Sequence, residues 1–447
     1  MKAKKLLIPV LGASLLFPTV AGAAEQKPTV NTPAADLRAT LDQLLSEHYV
    51  LAVESLTKMY DGAKDADETY KKLDQNAVDM EPAIASVYGK EGAAEFERIF
   101  RAHNEYTDDL VKATKENDAQ GKAMVDKEIE QFVQEFSKFL ATATEGKLPQ
   151  QAAEDALRLH EQQVKAAFDD YVKGDYKGSY EAFREGFKHM YTISKVLSTA
   201  ITTQMPEKFN NTKADTPAAD LRSTLNSLAS EHFALAVMGM QKGFESAKDY
   251  DYVTWAENAN TADFKAAMKS IYGQAGADQF EKIWQTNHIN AQAEIASAAA
   301  EGNKDAMMQA ENKLSKTFAT DFGNFLGAAT ENNLPAKDAT AALMKHEQTV
   351  IDTFDQYMNG SYADELNTYR EGYQIMFGVG QALGNAIVTQ MPEKFASTNM
   401  PTQMPKTGMG GASETTNSSS MTMWMSFGAL ALAGVAFFAQ RARKAQQ

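Results

Sequence analysis

LLSEHYVLAV at residues 44–53 returns, nearly unchanged, as LASEHFALAV at residues 228–237. Leu37, Leu41, Leu44, His48 and Leu51 recur at intervals of three and four, the spacing that puts side chains on one face of an α-helix. The stretch therefore reads as helix. Its return reads as duplication, and it places a histidine twice on an apolar stripe in a chain with only seven.

On either side of this stretch the repeat extends across most of the chain at a spacing of about 185 residues, which is duplication of a whole unit rather than a solenoid period. TPAADLR occurs at 32–38 and 216–222, and TQMPEKF at 203–209 and 389–395. SVYGKEGAAEFERIF (86–100) matches SIYGQAGADQFEKIW (270–284), and LHEQQVKAAFDDYVKGDY (159–176) matches KHEQTVIDTFDQYMNGSY (345–362). Thr32-Pro33 and Thr216-Pro217 are helix-start signals, and Pro149 and Pro335 open a later helix. Gly89, Gly92, Gly121 and Gly174, with Gly273, Gly276, Gly302 and Gly360 in the second copy, predict breaks. No run of alternating β-branched residues competes. The expectation is an all-α protein of two tandem antiparallel helical bundles, 33–209 and 217–395, each with about five helices of which four are long. The polar linker 210–216 between them predicts some independent motion.

The absence of cysteine excludes disulfides, thiolate metal sites and covalent c-type haem attachment. A formal net charge of -15 argues against nucleic acid, whose binding needs a basic face. With 44% apolar residues the chain can fill two ordinary cores by packing alone.

The ends set the compartment. MKAKK followed by an apolar run closing on Ala21, Gly22 and Ala23 reads as a signal peptide spanning 1–23, and Pro9 and Pro18 speak against a membrane span there. At the other end Met404, Pro405, Lys406, Thr407 and Gly408 form MPKTG within a polar stretch (396–420), followed by an apolar segment (421–440) and a basic tail (441–447). That order resembles the sorting signal of Gram-positive surface proteins, with methionine in place of the usual leucine and a longer spacer. The resemblance implies cleavage by a sortase after Thr407 and linkage of Thr407 to peptidoglycan. Without cleavage the segment 421–440 would act as a membrane anchor, its basic tail held inside. Either outcome places the body outside the membrane, anchored to wall or membrane.

Histidine and methionine carry what chemistry the sequence offers. His48 and His160 lie on apolar stripes and have counterparts in His232 and His346. His103 also lies on such a stripe, but its counterpart His288 stands one residue further along, opposite Asn104. One residue turns a side chain about 100° around an α-helix, which argues against a strict three-histidine site. His189 and Met190 are further candidates, with Ile375 and Met376 opposite them. Imidazoles from facing helices are how bundles hold a transition metal, copper among them, or the iron of haem. The competing reading makes each histidine a hydrogen-bonded core residue and each of the 21 methionines a flexible filler.

Sharper constellations are missing: no Glu-x-x-His pair, HExxH, glycine-rich phosphate loop or Gly-x-Ser-x-Gly elbow occurs. The repeat from DLR through SEH to QMPEKF looks like a secreted repeat of Bacilli that is sometimes labelled copper amine oxidase. The motifs of that enzyme, Asn-Tyr-Asp/Glu and a His-x-His copper pair, do not occur, so the likeness carries no catalytic residue onto this chain. Two functional expectations stand. One is a noncatalytic surface protein whose bundles hold a metal or haem through interior histidines; the other is a structural or adhesive wall module without cofactor.

Overall fold

The computed structural model describes residues 27–396. The predicted signal peptide, the MPKTG motif from Met404 to Gly408 and the apolar segment 421–440 lie outside them. Among the described residues every regular element is helical, and no helix is long and apolar enough to cross a membrane.

The first repeat contains α1 (Pro33–Asp61), α2 (Ala66–Asn104), α3 (Tyr106–Lys115), α4 (Ala119–Ala143), α5 (Gln150–Lys173) and α6 (Tyr176–Gln204). The second contains α7 (Pro217–Glu245), α8 (Tyr250–Trp284), α9 (Asn290–Ala300), α10 (Lys304–Asn312), α11 (Ala319–Ala329), α12 (Ala336–Met358) and α13 (Tyr362–Gln390). Local chemistry starts and stops them as expected. The Thr32 hydroxyl accepts from the Ala35 amide at 3.1 Å and the Thr216 hydroxyl from the Ala219 amide at 3.2 Å. Gly62 and Gly174 end α1 and α5 in the left-handed conformation. Gly89 interrupts α2 as expected, two helical stretches meeting at a kink where its φ is 75° and its ψ 177°, and Gly273 does the same in α8.

The second repeat is longer by two residues, and the fold shows where they go. His48 and His232 lie 184 positions apart, His103 and His288 185, and His160 and His346 186. Each increment coincides with a π-helical turn, Gln285–Ile289 between α8 and α9 and Lys313–Phe318 between α10 and α11. A π-turn takes in one extra residue without changing the direction of the helix. The two insertions are thus absorbed as bulges, and the long helices after them keep their facing.

The linker does not separate the repeats. They form one compact unit with a shared central core in which Tyr49, Phe187 and Tyr191 pack together with Phe233, Tyr373 and Met376. A flanking core lies in each repeat, around Phe96 and Phe136 in the first and Phe280 and Phe322 in the second. The lead-in segments cross over. Ala214, just before the second repeat, is buried in the first repeat's core, and Val30, just before the first, in the second's. Arg38 donates to the Ala214 carbonyl at 3.0 Å and Arg222 to the Val30 carbonyl at 3.0 Å. Arg38 also pairs with Asp220, and Arg222 with Asp36, both at 2.6 Å. Such reciprocal contacts are those of a twofold interface, here within one chain. Independent motion of two bundles is accordingly replaced by a fused pair.

Candidate metal centre

The SEH motif divides its labour by helical geometry. Ser46 and Glu47 face the other repeat: the Tyr373 hydroxyl donates to Ser46 at 2.7 Å, and Arg370 forks onto Glu47. Ser230 and Glu231 are engaged in the same way by Tyr191 and Arg184. His48 and His232, one residue further around the helix, turn instead into the flanking cavity of their own repeat.

There each meets two more imidazoles. His48 on α1, His103 at the end of α2 and His160 on α5 present ring nitrogens that all lie within 4.8 Å of one another, and His232, His288 and His346 do the same. Ring centroids in the first triad are 5.0, 5.8 and 6.2 Å apart, and in the second 4.8, 6.2 and 6.1 Å. His232 Nε2 and His288 Nε2 share a hydrogen bond at 3.0 Å, one ring donating to the other, which leaves their Nδ1 atoms unpartnered among the described residues; the same separation is close to that of two nitrogens on one ion at about 2.0–2.1 Å each. The one-residue displacement of His288 therefore does not remove it from the triad, because the π-turn Gln285–Ile289 takes up the extra residue before the ring is presented. Phe132 stacks on His103 at 4.2 Å, and Phe318 meets His288 edge-on at 4.1 Å.

A carboxylate accompanies each triad. Glu161 Oε1 lies 3.5 Å from His103 Nε2 and 3.9 Å from His160 Nε2; Glu347 Oε1 lies 3.5 Å from His288 Nδ1 and 3.6 Å from His346 Nε2. Both side chains are fully enclosed. Neither Oε1 has a hydrogen-bond partner among the described residues. The other oxygen of Glu161 accepts from the Tyr106 hydroxyl, whereas both oxygens of Glu347 are unpartnered, Ala291 standing where the first repeat has Tyr106. The repeated HEQ motif held the signal for these carboxylates, but only packing shows them turned toward the triads.

Burial sets the protonation of these groups. It holds His103 and His346 down to about 4, His103 being partly sustained by its Nδ1 bond to the Phe100 carbonyl. Burial first, and then the neighbouring imidazoles, hold His48, His160, His232 and His288 well below the usual histidine range. Burial also pushes Glu161 up to about 7, against the Tyr106 hydrogen bond, and Glu347 well above the ordinary carboxylate value. Both ring nitrogens of His48 lack hydrogen-bond partners among the described residues. Neutral imidazoles with free nitrogens, converging beside a buried carboxylate, form a donor set that could hold one metal ion in each repeat.

The remaining candidates are placed differently. His189 stays outside the triad because its Nε2 is bound to the Ala156 carbonyl at 2.9 Å. Met190 is buried and, with His48, His103 and His160, lines an apolar cavity of about 50 Å³. Met376 lines its counterpart of about 60 Å³ beside His232, His288 and His346. Comparison with protein-family models, with curated proteins and with solved structures gives no match.

Proposed function

We propose that the chain is a noncatalytic binding protein that holds two transition-metal ions, one in each repeat. His48, His103 and His160 are the ligands of the first, and His232, His288 and His346 those of the second. The carrying observation is the repetition: three buried imidazoles and a buried carboxyl group with an unpartnered Oε1 converge twice, and in the second repeat a π-turn brings the third imidazole into place. Leaving buried polar groups without partners is costly, and a bound cation relieves that cost in both places at once.

Imidazole donors suit the late first-row metals, and copper(II) binds such sites most tightly. Met190 and Met376 line the same two cavities, and a thioether is a soft donor suited to copper(I). Cavities of about 50 and 60 Å³ do not accommodate a porphyrin, which favours an ion over haem. The signal-like residues 1–23, the MPKTG motif and the apolar segment 421–440 support an outer-surface location, with sortase and peptidoglycan as partners through Thr407.

The test is metal titration of the stripped, purified chain with copper(II) and zinc(II), bound metal being counted by mass spectrometry. Two ions per chain are expected, one after His48→Ala with His160→Ala, and none after His232→Ala and His346→Ala are added. No uptake at micromolar metal would leave the helical pair as a surface spacer or adhesive module.

A further inference from the structure

The two triads are alike in ligands but not in access. In the first repeat a surface groove of about 230 Å³ runs down to His103 and Phe132. Those same two residues line the inner cavity that holds the triad, so their stacked rings are the wall between groove and cavity. His103 is 5% exposed, and its Nε2 makes no hydrogen bond among the described residues, its nearest charged neighbour being Glu161 at 3.5 Å. Glu105, Asp109, Glu128 and Glu135 line the groove, and no lysine or arginine does. Glu135 pairs with Arg98, while Glu105, Asp109 and Glu128 make no salt bridge among the described residues.

The second repeat carries less of this charge, keeping an acid only at two of the four places, one of them Asp321 in place of Glu135. Allowing for the one inserted residue, Glu105, Asp109 and Glu128 correspond to Asn290, Glu294 and Lys313. Lys313 pairs with Glu294 at 2.9 Å, so a closed ion pair stands where the first repeat has two free carboxylates. His288 is 0% exposed and Glu347 is 0% exposed, against 5% for His103 and 3% for Glu161.

We propose that the acidic groove is the loading route of the first metal site, so that a divalent cation reaches His48, His103 and His160 faster than it reaches the second triad. This rests on the metal reading above. A cleft lined by one sign of charge concentrates counter-ions and raises association rates by about 10- to 1,000-fold, an effect that salt suppresses. His103, presented to both groove and cavity, is the side chain that would take the ion from one to the other.

The experiment follows copper(II) uptake by the metal-free full chain in a stopped-flow instrument, free copper being read by a coloured chelator. Trp284, whose ring lies 4.7 Å from His232 and 4.6 Å from His288, reports the second site separately by its fluorescence. Two phases are expected, the fast one without the Trp284 signal. In the triple variant Glu105→Gln, Asp109→Asn, Glu128→Gln the fast phase should slow about tenfold at low salt. The two proteins should converge at high salt, with the slow phase and the total of two ions unchanged. Lys313→Glu should speed the slow phase. A fast phase unchanged in the triple variant, or both sites filling in one phase, would overturn the loading route while leaving the metal reading in place. No uptake by the unaltered chain would sink the metal reading itself, and this route with it.

Discussion

Arg370, in the first third of α13, forks onto Glu47 of α1 at 2.9 and 2.8 Å, across 323 residues of sequence. Arg184 makes the mirror contact with Glu231 at 2.9 and 3.1 Å. Both glutamates are almost fully enclosed, and each also receives an amide from its own repeat, Asn76 or Asn260, at 2.8 Å. Removing the cation leaves an enclosed carboxylate without its partner. Arg370→Ala should therefore cost about 3 kcal/mol, and Arg184→Ala a similar amount. Because the central core belongs to both repeats, calorimetry should show one unfolding transition for residues 27–396 in either variant, displaced downward and not split in two.

Gly186 and Gly372 mark where the last helix of each repeat crosses the first. A Cβ at Gly186 would overlap the Tyr49 phenol, and one at Gly372 would overlap the Phe233 ring. Both rings are fully buried and have no room to withdraw. Either glycine changed to alanine should lower stability by about 2 kcal/mol through overpacking. Gly239→Ala is the control: nothing stands within 4 Å of its Cβ, so it should be neutral or stabilising by up to about 1 kcal/mol. Denaturant midpoints separate the two outcomes.

The histidine triads make a prediction whose sign depends on metal. Both nitrogens of His48 are buried without partners, so His48→Leu should raise the melting temperature of the metal-free chain, by the equivalent of about 1–3 kcal/mol. The same variant should lose its share of the stabilisation that metal brings, which for one site at a hundredfold excess over Kd is about 2.7 kcal/mol. A histidine that served only to support the fold would instead destabilise the metal-free chain when replaced. Scanning calorimetry with and without copper(II) distinguishes these.

Stability should also depend on pH through Glu365, far from the triads. Burial pushes its carboxyl from 4.5 up to about 8, against the attraction of Lys58 and with the repulsion of Asp65 and Glu54. The folded chain therefore keeps a proton that the unfolded chain gives up above about 4.5. The contribution of Glu365 is complete below that value and is lost as pH rises toward 8. Glu365→Gln, which preserves an acceptor for the Gln241 amide, should remove on the order of 2–4 kcal/mol of that loss. Urea midpoints of the two proteins should agree near pH 4 and separate in favour of the variant near pH 8.

The helices were readable because their causes are local. Thr32 with Pro33, Gly62 and Gly174 act on the backbone within a turn, and the three-and-four spacing around His48 needs no partner to be recognised. The interruptions at Gly89 and Gly273 were legible for the same reason, but the break at Glu105 was not, since no glycine or proline marks it. The candidate site was half legible: His48 with His160 and His232 with His346 followed from the repeat. The offset of His288 misleads because an α-helical period does not hold through a turn that is π-helical.

Duplication, the absence of cysteine, the helical class of the described residues and the histidines on apolar stripes all follow from composition and periodicity, which act along the chain. That the two copies fuse around one core, and that Glu161 and Glu347 join the triads, comes from long-range packing. The same packing gives Glu47 and Glu231 to the interface between the repeats. Those outcomes depend on which helices cross and at what register, and contacts such as Arg370 to Glu47 join positions hundreds of residues apart that no local pattern couples.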